Sequence, residues 1–146
     1  MTSPEQERVR PAVDGARIST LVGVYHADGG PVGELRYVVG KLLGTAHCAL
    51  CDVTHSAVRR KPEWDAMVAS LGVGFELLHL NELTPDVALA VAASGSPVVL
   101  ARVADGGLRT LLGPDELDGL GASVARFRVA LLAAVEEQGL RLPVES

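Results

Sequence analysis

The dipeptide Asp105-Gly106 separates two β-rich runs, residues 97–104 (Pro-Val-Val-Leu-Ala-Arg-Val-Ala) and 107–112 (Gly-Leu-Arg-Thr-Leu-Leu). Asp-Gly readily reverses a chain between paired strands, because a two-residue hairpin turn needs φ above zero at its centre. The two runs therefore predict an antiparallel hairpin. Upstream, residues 18–25 (Ile-Ser-Thr-Leu-Val-Gly-Val-Tyr) are short and β-branched, as a buried strand is. Residues 75–80 (Phe-Glu-Leu-Leu-His-Leu) read as a further strand. The stretch between those two carries helical patterns, and strands joined through helices run parallel. A parallel pair and an antiparallel hairpin in one small protein imply a mixed sheet. The order strand, helices, strand, helix, hairpin, helix predicts an α/β fold in which helices cover that sheet.

The helices announce themselves through spacing and caps. Pro31 suits a first turn, and Leu35, Val38, Val39 and Leu42 then fall at i, i+3, i+4 and i+7 up to Gly44. Thr45 is positioned to cap a second helix, which carries His47, Cys48, Cys51 and His55 and fades near Arg59-Arg60-Lys61. Pro62 begins a third, with Trp64, Met67, Val68 and Leu71 on one side and Gly72 and Gly74 at its end. Thr84-Pro85-Asp86 is a cap, a first-turn proline and a first-turn acid in order, so a helix with Val87, Ala90 and Val91 inward runs to about Ser94. After Pro114, one stripe holds Leu117, Leu120, Val124, Phe127, Leu131 and Val135, with a break at Gly121.

At 146 residues the chain has the length of one domain, expected over residues 17–139 between an N-terminal arm (1–16) and a short tail (140–146). Hydrophobic residues make up 48% and charged residues 21%, which excludes a disordered polymer. Aromatic residues are only 3%, so the core must be built from Val, Leu and Ala. A net charge of −5 argues against a broad nucleic-acid or anionic-lipid surface. The N-terminus has no basic stretch followed by an apolar one, and no run reaches the roughly 18 apolar residues of a membrane span, so a cytoplasmic protein is the expectation.

From Gly74 onward the pattern resembles the second half of a thioredoxin-like fold. The pieces that match are the strand at 75–80, the helix at 85–94, the segment Gly95-Ser96-Pro97-Val98, the hairpin about Asp105-Gly106-Gly107 and the closing helix from Pro114. The resemblance implies that the strand at 18–25 is central. It also implies that Pro97 starts the hairpin in the cis form, beside an active site. In that superfamily a Cys-x-x-Cys follows the central strand directly. Here the position holds His26-Ala27-Asp28-Gly29-Gly30-Pro31, and the cysteines come a whole helix later. The family's redox activity therefore does not carry over by position.

The two cysteines stand in the segment His47-Cys48-Ala49-Leu50-Cys51-Asp52-Val53-Thr54-His55. On one continuous helix, Cys48, Cys51 and His55 at i, i+3 and i+7 share a face. Two thiols and an imidazole suit Zn²⁺, Cu⁺ or Fe²⁺, and His26 at the end of the first strand is the best remote fourth ligand. His47 points about 100° away from Cys48 on an ideal helix. The same pair suits thiol chemistry, with Cys48 as nucleophile near the helix start and Cys51 as resolving thiol, its partner a small thiol or a protein. Protonated His47 or His55 would lower the Cys48 pKa, and Asp52 would oppose this. In a third reading both cysteines are buried apolar residues of a non-catalytic interaction domain. The metal reading leads here because histidines flank the pair. A cysteine pair of this kind is too little for a disulfide-stapled scaffold.

The remaining candidates have plainer roles. Tyr25 and His26 lie at the carboxyl end of a strand, where open α/β sheets bind ligands. His79 alternates with leucines as a strand histidine does. Asp28-Gly29-Gly30 reads as a turn, Arg59-Arg60-Lys61 as a solvated helix end and Trp64 as a core anchor. A P-loop and a Gly-x-Ser-x-Gly elbow are both missing from the sequence.

Overall fold

The computed structural model describes residues 16–26, 48–55 and 60–143. Strand β1 (Ala16–Val24) is followed by helices α1 (Ala49–Thr54) and α2 (Pro62–Leu71), then strand β2 (Gly74–Leu78) and a 3-10 turn at Leu80–Glu82. Helix α3 (Pro85–Ser94), strands β3 (Val98–Val103) and β4 (Leu108–Leu112), helices α4 (Pro114–Asp118) and α5 (Val124–Glu137) and strand β5 (Leu140–Arg141) complete the order. The fold is α/β, as expected. The expected N-terminal arm up to residue 15, the helix after Pro31, Thr45, His47 and Arg59 lie outside the described residues.

β1 is the centre of a mixed sheet ordered β2-β1-β3-β4. It runs parallel to β2 and antiparallel to β3, and β3 returns antiparallel into β4. The parity of the strands divides two cores. Leu21, Val99, Ala101 and Val103 face one side with Trp64, Leu71, Phe127, Leu131 and Val135 of the helices. Val22, Val24, Val98 and Leu100 face the other, where Val87 of α3 covers them. Side chains alternate across a strand, so a continuous Val/Leu run is what a strand covered on both faces requires.

The hairpin forms where Asp-Gly predicts it. Gly106 adopts φ 93°, and the Asp105 side chain accepts the Gly107 N–H at 2.8 Å. The C-terminal stripe is buried along its length, with the chain broken between α4 and α5 at Gly121 and Ala122, both at φ 61°. Ser123 caps α5 by accepting the Arg126 N–H at 3.1 Å.

Three boundaries differ from the sequence reading. β2 stops at Leu78 because the His79 N–H is taken by the Glu82 carboxylate at 2.7 Å instead of by a strand. Residues 140–142 of the expected tail do not trail away. Leu140 and Leu142 are buried, and Leu140–Arg141 extends the sheet by pairing parallel to Ala16 and Arg17. Arg60 and Lys61 do not close the cysteine helix. Lys61 precedes α2 and donates to the Ala122 carbonyl at 2.8 Å, while Arg60 pairs with Asp65 at 2.9 Å.

At the start of α3, Asp86 accepts from Thr84 Oγ1 at 2.6 Å and from the Val87 N–H at 2.8 Å, and it pairs with Arg102 of β3 at 2.7 Å. The Arg102 hydrogen bond first, then Thr84, hold its carboxyl down at about 2, against an ordinary value of 3.8. A carboxyl depressed by folding stabilises the fold above its unfolded pKa and loses that contribution as pH falls through the folded one. Asp86→Asn is therefore expected to melt below wild type above about pH 4 and to converge with it near pH 2, read by thermal melts across that range.

Candidate functional site

The site lies where β1 ends. Tyr25 still belongs to the sheet, donating its N–H to Leu78 at 2.8 Å. His26 follows, and its N–H meets the sulfur of Cys48 at 3.3 Å across a separation of 22 residues. Cys48 is not in the first turn of a helix capped by Thr45. It is itself the N-cap of α1, in extended conformation, and its sulfur also accepts the Cys51 N–H at 3.3 Å. A sulfur thus does what a Ser or Asp oxygen does at most helix starts.

The Cys48 and Cys51 sulfurs stand at disulfide distance, with their Cα atoms 5.2 Å apart. Cys48 is 1% and Cys51 6% exposed. The helix ends at Thr54, and His55 is extended, bridging to Arg60. The expected stripe of Cys48, Cys51 and His55 along one helix is therefore not formed. His55 Nδ1 is directed at Thr54 Oγ1 (2.6 Å) and Tyr25 Oη (3.5 Å). His26 reaches Cys48 through its main chain, while its ring Nδ1 bonds Ser96 Oγ at 2.9 Å. Among the described residues, no group of three or more His, Cys, Asp or Glu side chains is arranged to hold a metal ion, so Cys48, Cys51, His55 and His26 do not converge as a ligand set.

Ser96 belongs to the turn into β3, and the Ser96–Pro97 peptide is cis. The cysteine pair, the end of the central strand and the Pro97 turn are therefore neighbours in space.

Behind the cysteines lies a buried hydroxyl cluster. Thr54 is fully buried; its Oγ1 donates to the Cys51 carbonyl at 3.2 Å and contacts Tyr25 Oη at 2.9 Å. One consistent set of protons serves this cluster: Thr54 donates to Cys51, and Tyr25 Oη–H and His55 Nδ1–H donate to Thr54. The Tyr25 ring lies between two imidazoles, 5.9 Å from His55 and 5.0 Å from His79. The His79 main-chain N–H, and then its ring, hold the Glu82 carboxyl below its usual range. Thr54→Val removes the oxygen on which Tyr25 and His55 converge. It is expected to lower stability by about 1–2 kcal/mol, measurable by urea denaturation.

Sequence reasoning singled out Cys48, Cys51, Tyr25 and His26 but assigned nothing to Ser96 or Thr54. A serine before a proline and a threonine late in a helix carry no local signature, and their roles arise only when β3 and α1 are brought against β1. No helix among the described residues is long and apolar enough to cross a membrane. No family model matches the chain, and no curated protein or solved structure matches it.

Proposed function

We propose that this protein is a thiol–disulfide redox protein with a thioredoxin-like arrangement, in which Cys48 is the nucleophile and Cys51 the resolving thiol. The observation that carries this reading is the environment of the Cys48 sulfur. It receives two main-chain N–H groups, from His26 and Cys51, and lies within bonding reach of a second sulfur. Hydrogen bonds of this kind favour the charged form of an acceptor, so they favour thiolate over thiol. The place of the pair supports the fold reading. The cysteines come late in sequence, yet Cys48 lies at the end of the central strand, where His26, just beyond it, also bonds the Ser96–Pro97 turn. That is the place which the resemblance assigns to a redox pair.

In the proposed reaction, the Cys48 thiolate attacks one sulfur of a disulfide in a small thiol compound or a protein. The partner's S–S bond breaks, and its departing sulfur leaves as thiolate and takes a proton. Cys51 then gives up its proton and attacks the Cys48 sulfur of the mixed disulfide. A Cys48–Cys51 bond forms, the partner's second sulfur departs, and two electrons have passed to the partner. The reverse sequence oxidises a dithiol.

Equilibration of the purified protein against graded ratios of reduced and oxidised dithiothreitol tests the reading, with thiols trapped by alkylation and located by mass spectrometry. The expected result is one reversible two-electron transition confined to Cys48 and Cys51. Absence of that transition would overturn it. Stoichiometric zinc, copper or iron on reduced protein, protecting both thiols from alkylation, would replace it with the metal reading.

A further inference from the structure

The strands that end at the site are in register beyond their last paired residues. Val24 of β1 faces Val98 of β3. Two residues further along each antiparallel strand, His26 comes opposite Ser96, and their side chains are hydrogen-bonded at 2.9 Å. The paired ladder ends at Val24 and Val98. The His26 N–H goes to the Cys48 sulfur instead of to a strand carbonyl. One residue therefore holds the sulfur by its main chain and the Pro97 turn by its ring.

We infer that His26 is a positioning residue that couples the Ser96–Pro97 turn to the Cys48 sulfur. The inference rests on the redox reading above and names how that site is adjusted. The aim of an N–H depends on the backbone torsions of its residue. His26 follows the last sheet hydrogen bond of β1, made by the Tyr25 N–H. Beyond it, the Ser96 hydroxyl is the cross-strand contact of the His26 ring. Removing that hydroxyl loosens the residue, and with it the N–H bond to sulfur. The Cys48 thiolate loses part of one of its two main-chain donors, while the bond from Cys51 is untouched. A partner that displaces Ser96 as it docks against the turn acts on the sulfur by the same route. The imidazole need not touch a substrate for this to operate.

The test compares wild type with Ser96→Ala, Ser96→Thr and His26→Ala, each checked for an unchanged far-UV spectrum. The readouts are the pH profile of Cys48 alkylation by iodoacetamide in reduced protein and the dithiothreitol equilibrium. Ser96→Ala is expected to weaken the Cys48 acid dissociation constant by about three- to tenfold, moving the alkylation profile to higher pH. Its disulfide is expected to become harder to reduce by a similar factor, because the reduced form loses thiolate stabilisation. His26→Ala should act in the same direction, and Ser96→Thr, which keeps a hydroxyl, should stay within about twofold of wild type. Ser96→Ala superimposing on wild type would overturn the inference. So would Ser96→Thr displaced as far as Ser96→Ala, since the hydroxyl would then not be the agent. The two ideas fail separately: an alkylation profile that responds to Ser96→Ala in a protein forming no reversible disulfide retains the coupling and discards the redox reading.

Discussion

Trp64→Ala is expected to destabilise the fold by about 3–5 kcal/mol, the range for removing a buried aromatic side chain. Trp64 is 2% exposed and packs edge-on against Phe75 (ring centroids 5.1 Å apart) and Phe127 (5.0 Å). It thereby ties α2 and β2, which follow one another in the chain, to the distant α5. Aromatic residues are only 3% of this sequence, so most of the core is made of smaller aliphatic side chains that cannot expand into the space an indole leaves. For a domain of this size the loss corresponds to a fall in Tm of roughly 10–15 °C, measurable by calorimetry. Trp64→Phe should recover part of it by keeping a ring against Phe75 and Phe127. A Trp64→Ala protein melting within a few degrees of wild type would mean that the α2 contact with the sheet is dispensable.

The role of Trp64 was legible in the sequence because it depends on local periodicity, Trp64, Met67 and Leu71 falling on one side of a helix. The hairpin and the start of α3 were legible for the same reason: Asp105-Gly106 and Thr84-Pro85-Asp86 act on their own neighbours. The boundaries of α1 were not. Its N-cap is a cysteine, a residue outside the usual capping set, and at its end His55 is extended and bridges to Arg60, a contact the helical spacing does not signal. The two-residue strand after α5 carries no periodicity at all, and exists because buried Leu140 and Leu142 bring residues 140–141 beside β1.

The site was legible in chemistry and illegible in place. Two cysteines and nearby histidines were conspicuous in a chain with few of either. On a single long helix their spacing would have gathered Cys48, Cys51 and His55 on one face, which made a metal the leading expectation. The shorter helix sends His55 to Thr54 and Tyr25 and leaves the two sulfurs to each other. Likewise, the pair looked displaced from the end of the central strand only because distance was counted along the chain. Across a sequence separation of 22, the His26 N–H meets the Cys48 sulfur at 3.3 Å.

Cys51→Ser is expected to retain the first half of the proposed redox reaction and lose the second. Serine keeps the Cys51 main-chain N–H, so both donors to the Cys48 sulfur survive. Cys48 can therefore still attack a disulfide and form a mixed disulfide. Without a thiol at position 51 nothing inside the protein displaces the partner, and the adduct should persist until an external thiol releases it. Incubated with oxidised glutathione, the variant should gain one glutathionyl group on Cys48, visible by intact mass, while wild type passes on to the Cys48–Cys51 disulfide. Cys48→Ser is the opposite case. It removes the sulfur that receives both N–H groups and leaves Cys51, for which no such donor is seen among the described residues. Its adduct should form at least about tenfold more slowly at neutral pH, since attack requires thiolate. Equal rates of adduct formation in the two variants would show that the two N–H groups on Cys48 confer no directionality. Adduct formation faster in Cys48→Ser would reverse the roles, making Cys51, the more exposed of the two at 6%, the attacking thiol.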